Sequence, residues 1–172
     1  MSEPLKYAVS TTLPQHRVWQ LFTNIENWPR FCSLYRNLHW VGEPWAPGSA
    51  IAGELLSPLH LPLRYLIKRY QPVEVVIYLA HSASCGFATE RTILFKPLPF
   101  GTLIRVESYG VGTPPALPGG IDGFLGAVNV GCFANFALFC DEEQRVLGRV
   151  RSRRQATAGA VAHQQTGRAR SM

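Results

Sequence analysis

Few side chains in this chain have the type and spacing to do chemistry, and Arg91 is the first of them. Residues 87–96 and 102–110 alternate as strands, joined by the short loop PLPFG at 97–101. If Pro97 stands opposite Thr102, then Phe95 faces Ile104, Ile93 faces Val106 and Arg91 faces Ser108. Phe95, Ile93, Ile104 and Val106 make that face apolar. A guanidinium on it, beside a hydroxyl, is the chemistry of a clamp for a ligand carboxylate or another oxyanion. The plainer alternative is an arginine at a cavity mouth, paired with a nearby carboxylate or reaching water. The opposite face carries Glu90, Thr92, Lys96, Arg105 and Glu107 and reads as a solvated charge ladder.

His81 follows an apolar run and has the chemistry of a cavity acid or base, although such a histidine is more often a satisfied core or rim residue. Tyr65 and Tyr109 offer hydroxyls to a ligand, but a buried tyrosine usually just needs a partner for its own OH. Arg69 is a weaker candidate, and His60 belongs in a loop. There is no G-x-S-x-G, H-E-x-x-H, Walker loop or G-x-G-x-x-G. No catalytic set can be assembled, and no cofactor or metal is implied. The cysteines are Cys32, Cys85, Cys132 and Cys140, without a C-x-x-C pair, so zinc and thioredoxin chemistry have no support. Cys132 and Cys140 fall about 12 Å apart along a helix, too far to bridge. Reduced thiols in a cytoplasmic setting are therefore expected, and residues 1–10 lack the apolar stretch of a secretory signal.

The elements that must position these residues follow from pattern. Residues 5–13 read as a strand. Pro14 opens a helix over 14–27, with Val18, Trp19, Phe22 and Ile25 at helical spacing. Pro29 ends or kinks it, and a second short helix covers 30–36. Strands are expected at 37–42, 50–57, 62–71, 74–83, 87–96 and 102–110, with two registers possible around Pro72. A proline- and glycine-rich loop at 111–121 leads to Asp122 as N-cap of a helix over about 123–152, with Asp141 and Arg145 as an i,i+4 ion pair. An antiparallel meander needs a helix over its apolar face. The last helix is the only one long enough, which makes the fold α+β.

That helix is unusual. Residues 123–140 carry no charge over eighteen positions, and Asn129 and Asn135 are their only polar side chains. The run is short of a membrane span and holds three glycines. Gly126, Ala127, Gly131 and Ala134 leave room for a ligand or a close partner, while most of the run reads as core. The net charge of +6 is uneven: residues 1–144 sum to −1, and residues 145–172 hold seven arginines and no acid. The basic balance thus lies on a helix end and tail, not on a nucleic-acid-binding face. Trp19, Trp28, Trp40 and Trp45 are not interleaved with basic residues, so base stacking has little support.

Three local features, taken with this element order, resemble the START-like superfamily, also called SRPBCC, the polyketide cyclase/dehydrase and lipid-transport group. RVWQLFTNIENWPRF at 17–31 is similar to its first helix, ILFKPLPFGTLIRV at 93–106 to its penultimate hairpin, and the apolar helix after 122 to its gripping helix. The resemblance covers about residues 4–152. It implies a helix-grip fold: a curved antiparallel sheet of about seven strands wrapped round a long C-terminal helix, with two short helices after the first strand. The domain is expected at 1–154, with a basic flexible tail at 155–172. Members bind lipids, sterols, quinones, polyketides or hormones in a cavity between sheet and helix, and some are enzymes, but no catalytic residue is common to the family. The leading expectation is a binder of a hydrophobic or amphipathic small molecule, lined by Arg91, Ser108, Tyr65, His81, Phe95, Val106, Asn129, Phe133 and Phe136. The alternatives are a cyclase or dehydratase with a pocket acid/base, and a lipid or quinone chaperone that docks on membranes through its C-terminal helix and tail. A second copy of the chain would suit the same helix.

Overall fold

The structure, a computed structural model, describes residues 5–56, 61–73, 75–81, 87–112, 130–150 and 152. Its strands are β1 (Leu5–Thr11), β2 (Tyr35–Val41), β3 (Ala50–Leu55), β4 (Leu61–Gln71), β5 (Val75–His81), β6 (Phe87–Leu98) and β7 (Gly101–Gly112). They form one antiparallel sheet in the order β1-β7-β6-β5-β4-β3-β2. Between β1 and β2 lie α1 (Gln15–Thr23), a 3₁₀ turn (Ile25–Asn27) and α2 (Trp28–Phe31). The C-terminal helix, α3, is described over 130–150. The architecture is α+β with an antiparallel sheet and a C-terminal helix, as the element order required.

Local chemistry moves several helix boundaries from their expected places. Pro14 is the N-cap of α1, not its first helical residue. The helix stops at Thr23 because Asn24 turns extended, and the Asn24 side chain caps the 3₁₀ turn by accepting from the Glu26 N–H. Pro29 sits inside the first turn of α2, where its missing N–H costs nothing. α2 is therefore over by Phe31, and β2 starts at Tyr35, inside the segment expected to be helical. The β6–β7 loop is tighter than 97–101: Leu98 pairs with Gly101, leaving only Pro99 and Phe100 in the turn. Gly101 adopts φ 136°, and a Cβ there would collide with the Thr11 carbonyl, so glycine is needed for the close approach of β1.

The hairpin around Pro72 resolves the two registers. Tyr65 pairs with Ala80 and Ile67 with Tyr78, but then Arg69 pairs with Ile77, which leaves Lys68 as an extra residue. The bulge reverses inside and outside along β4. Tyr65 and Ile67 are buried before it, whereas Arg69 after it is exposed and donates to Gln71, which removes it as a site residue.

An aromatic core lies between the sheet and the helices. Phe22 of α1 stands 5.2 Å from Phe95, 5.3 Å from Trp28 and 5.7 Å from Phe136, centroid to centroid. Trp19 meets Phe95 edge-on, and Trp28 meets Tyr65 edge-on. Two of the buried indoles satisfy their N–H groups on the α1 backbone, Trp28 on Phe22 O and Trp45 on Thr23 O. Such rings bring large apolar area and well-defined geometry.

α3 is fastened at three levels. In its first described turn, Cys132 is disulfide-bonded to Cys32 beyond α2, with the Cα atoms 5.0 Å apart. This corrects the expectation of reduced thiols. The two cysteines are 100 residues apart, so only the tertiary fold brings them together. A disulfide is at home in an oxidising compartment, and the cytoplasmic expectation loses the support it drew from free thiols. In the middle, Phe133 and Phe136 pack on Tyr7, Phe22 and Phe31. Further on, the Asp141 carboxylate accepts from the Thr11 and Thr12 hydroxyls and the Thr12 N–H, at 2.7–2.8 Å. Asp141 thus spends its oxygen on the β1–α1 corner, and the expected ion pair with Arg145 is not among the described ion pairs. Gly131 is exposed with open space where a Cβ would go, so no described part of the chain packs closely on it. Among the described residues, no helix is long and apolar enough to cross a membrane.

Candidate ligand-binding site

The β6–β7 register sets the site. Pro97 pairs with Thr102, Phe95 with Ile104, Ile93 with Val106 and Arg91 with Ser108, as the sequence reading argued. Ile93, Phe95, Ile104 and Val106 are buried, while Lys96 on the other face is exposed. The charge ladder on that outer face is real. Arg105 pairs with Glu107 at 2.8 Å, and Lys68 of β4 reaches across to Glu90. Tyr109 also lies outside, its hydroxyl donating to Glu107, so it is not a ligand group.

Arg91 is 2% exposed, the largest fully buried side chain described, and its Nε donates to Ser108 Oγ at 3.2 Å. Ser108 is itself buried, so a serine and a guanidinium share an otherwise apolar interior. Removing a guanidinium from water is costly unless its donors are met, and Ser108 is one of the groups that meet them. One register step along, Thr89 is 5% exposed, and its hydroxyl has no hydrogen-bond partner among the described residues. Thr89 lies two residues from Arg91 on the same strand face. Sequence reasoning missed it, although the parity that placed Arg91 inside places Thr89 there too.

The remaining candidates separate into two groups. Phe95, Phe133 and Phe136 are buried, but they meet α1, α2 and β1 rings and serve the aromatic core. Tyr65 is buried, and its hydroxyl lies 2.9 Å from that of Tyr35, a partner within the protein for the expected ligand group. Val106 is fully buried next to the Arg91–Ser108 row. His81 stands between Arg64 and Ala88 in the sheet, but its side chain lies outside the described ones. Asn129, Asp122, His60, Cys85 and residues 113–129 and 153–172, which hold most of the expected 111–121 loop, the first part of the expected last helix and the expected tail, also lie outside the described residues.

The interior is therefore polarised. One end, under α1 and α2, is filled with rings. Towards the other end of β6 and β7 stand Arg91, Ser108 and Thr89. The buried polar side chains described are Thr11, Ser49, Thr89, Arg91, Thr102 and Ser108, with no carboxylate or imidazole among them. No cluster of three or more His, Cys, Asp or Glu suited to a metal ion occurs among the described residues. Cys140, the free buried thiol described, is pushed up to about 12 by burial first and then by the Asp141 and Glu143 charges, so it stays protonated.

A sheet in this order, with two short helices after the first strand and a long helix last, is the START-like, or SRPBCC-like, fold, and solved structures show it directly. The structure of Ara h 8.0201 superposes with a TM-score of 0.67 at 11% identity, covering 80% of this chain and 96% of that one. Protein CV1439 from Chromobacterium violaceum gives 0.64 at 17% identity, with 82% and 99% covered. DynU16, a protein of the dynemicin biosynthetic locus, gives 0.61 at 14% identity, with 81% of this chain and 47% of that one covered. No protein-family model matches the chain, and no curated protein matches its sequence. At these identities the likeness is one of fold.

Proposed function

We propose that the chain binds an amphipathic acid: an apolar body carrying a carboxylate or equivalent anionic head. The head sits on the Arg91 guanidinium with the Ser108 and Thr89 hydroxyls, and the body runs between the sheet and α3. In this reading the sheet is a curved grip around α3. The observation that carries it is the buried Arg91–Ser108 pair beside a Thr89 hydroxyl without a described partner. A positive charge and hydroxyls grouped at one end of an apolar interior match the layout of a small-molecule pocket, apolar with a few convergent polar groups. The aromatic core restricts where the body lies, because its rings already occupy the α1 end.

Isothermal titration of a fatty or aromatic acid against its matching alcohol tests this. A charged hydrogen bond of about 1.5–3 kcal/mol predicts tenfold or tighter binding of the acid. Arg91→Met keeps most of the stem volume and should erase that preference while leaving alcohol binding nearly unchanged. Thr89→Val and Ser108→Ala should narrow the preference in smaller steps and serve as second variants if Arg91→Met lowers stability. Equal losses for both ligands in all three variants would remove the anion site.

A further inference from the structure

The end of the molecule built by Thr11 carries exposed groups that the interior site does not use. The Pro99–Phe100 turn projects there, with Phe100 92% and Leu98 41% exposed. The turn is held in place, since Gly101 packs directly on the Thr11 backbone. Thr11 and Thr12 also bind Asp141, so α3 passes the same end. Beyond Asp141 the helix runs on through residue 150, about 13 Å at 1.5 Å per residue. Its outermost described ion pair with the body is Arg30–Glu143.

The last two turns, 144–150, hold Arg145 and Arg149 and no acid, with Val146 and Val150 also exposed. The exposed acid Glu142 and the Arg30-paired Glu143 lie in the turn nearest the body. The sequence then adds five more arginines and no acid over 151–172. Single exposed apolar residues are ordinary. An exposed aromatic on a tip fastened to Thr11, at the end where Asp141 of the basic, valine-dotted helix is also fastened, makes this end more than a scatter of single residues.

We infer that this end docks on an anionic phospholipid bilayer. Phe100 and Leu98 enter the interfacial layer, and Arg145 and Arg149 lie against headgroup phosphates. Charge complementarity and apolar groups at the same end are what interfacial binding combines. A nucleic acid would use the arginines and stack on Phe100, but it offers nothing to Leu98, Val146 and Val150, which is why the lipid surface is favoured. The inference rests on the hairpin tip and α3 alone, independently of the interior site.

Sedimentation of the full chain with phosphatidylcholine vesicles, with and without phosphatidylglycerol, decides it. Binding should need phosphatidylglycerol and weaken with salt. Arg145→Gln with Arg149→Gln should cost about fivefold per arginine, and Phe100→Ser about tenfold. All three positions are exposed, so the variants should melt like the wild type. Absence of binding to anionic vesicles, or binding that ignores Phe100, would overturn the inference. Binding to a single-stranded RNA that falls with Phe100→Ser, while vesicles stay unbound, would assign the surface to nucleic acid and overturn it as well.

Discussion

Reduction of the Cys32–Cys132 bond should lower stability by a large and calculable amount. The bridge closes a loop of 100 residues. In the chain-entropy description, a loop of that length removes about 4.7 kcal/mol of denatured-state freedom at 25 °C. For a chain of this size, each kcal/mol moves the melting temperature by about 2–4 °C, so reduction should lower it by about 10–20 °C. Thermal melts by circular dichroism, with and without a phosphine reductant, give the value, and Cys32→Ala should reproduce it without reductant. Cys140 does not complicate the comparison, because burial and neighbouring acids keep its thiol protonated. Non-reducing peptide mapping should recover residues 32 and 132 in one linked fragment. A drop below about 3 °C, or separate fragments from unreduced protein, would refute the reasoning.

Two further outcomes concern the same frame. Asp141→Ala should cost about 1–2 kcal/mol, because three donors at the β1–α1 corner lose a shared carboxylate acceptor. Burial alone would raise the Asp141 carboxyl, but the Thr11 and Thr12 bonds and the Arg145 charge outweigh it and hold it below the ordinary value of 3.8. Its contribution is therefore complete above that value and lost as pH falls through the lowered one. The melting gap between wild type and variant should hold steady from neutral pH downward and close only in strong acid; a gap that closes near neutrality contradicts the assignment. Gly101→Ala should cost more than about 2 kcal/mol in urea unfolding, since its Cβ meets Thr11 backbone at a φ of 136°. A cost near zero would show that the hairpin tip is not fastened to β1.

The β6–β7 register was legible because one constraint, a short turn between alternating strands, fixes every later pair. The placing of Arg91 opposite Ser108 follows from it. The register of β4 was not legible, because a bulge at Lys68 lets one strand obey both parities. The helix after β1 was read too long because Ile25 keeps the helical period through the Asn24 break, a change of backbone that periodicity does not register. The disulfide left no trace in spacing, since its partners meet only once α2 and α3 have packed. Asp141 was read as a partner of Arg145 because sequence shows neighbours along a helix, whereas the corner that claims the carboxylate is 130 residues away.

The indole cluster has an optical consequence. Trp45 lies 5.0 Å from Trp40 and 6.5 Å from Trp28, centroid to centroid, which is well inside the range over which one indole hands excitation to another. Their planes are inclined at 68° and 53°, so each transfer rotates the emitting dipole. Tryptophan emission should therefore be depolarised at ordinary excitation and recover its anisotropy at the red edge of absorption, where transfer stops. Trp45 sits in the β2–β3 turn against Thr23 of α1, far along the sheet from the Arg91 row. Red-edge anisotropy would then report disturbance of the aromatic end separately from occupancy at the polar end, with no label attached.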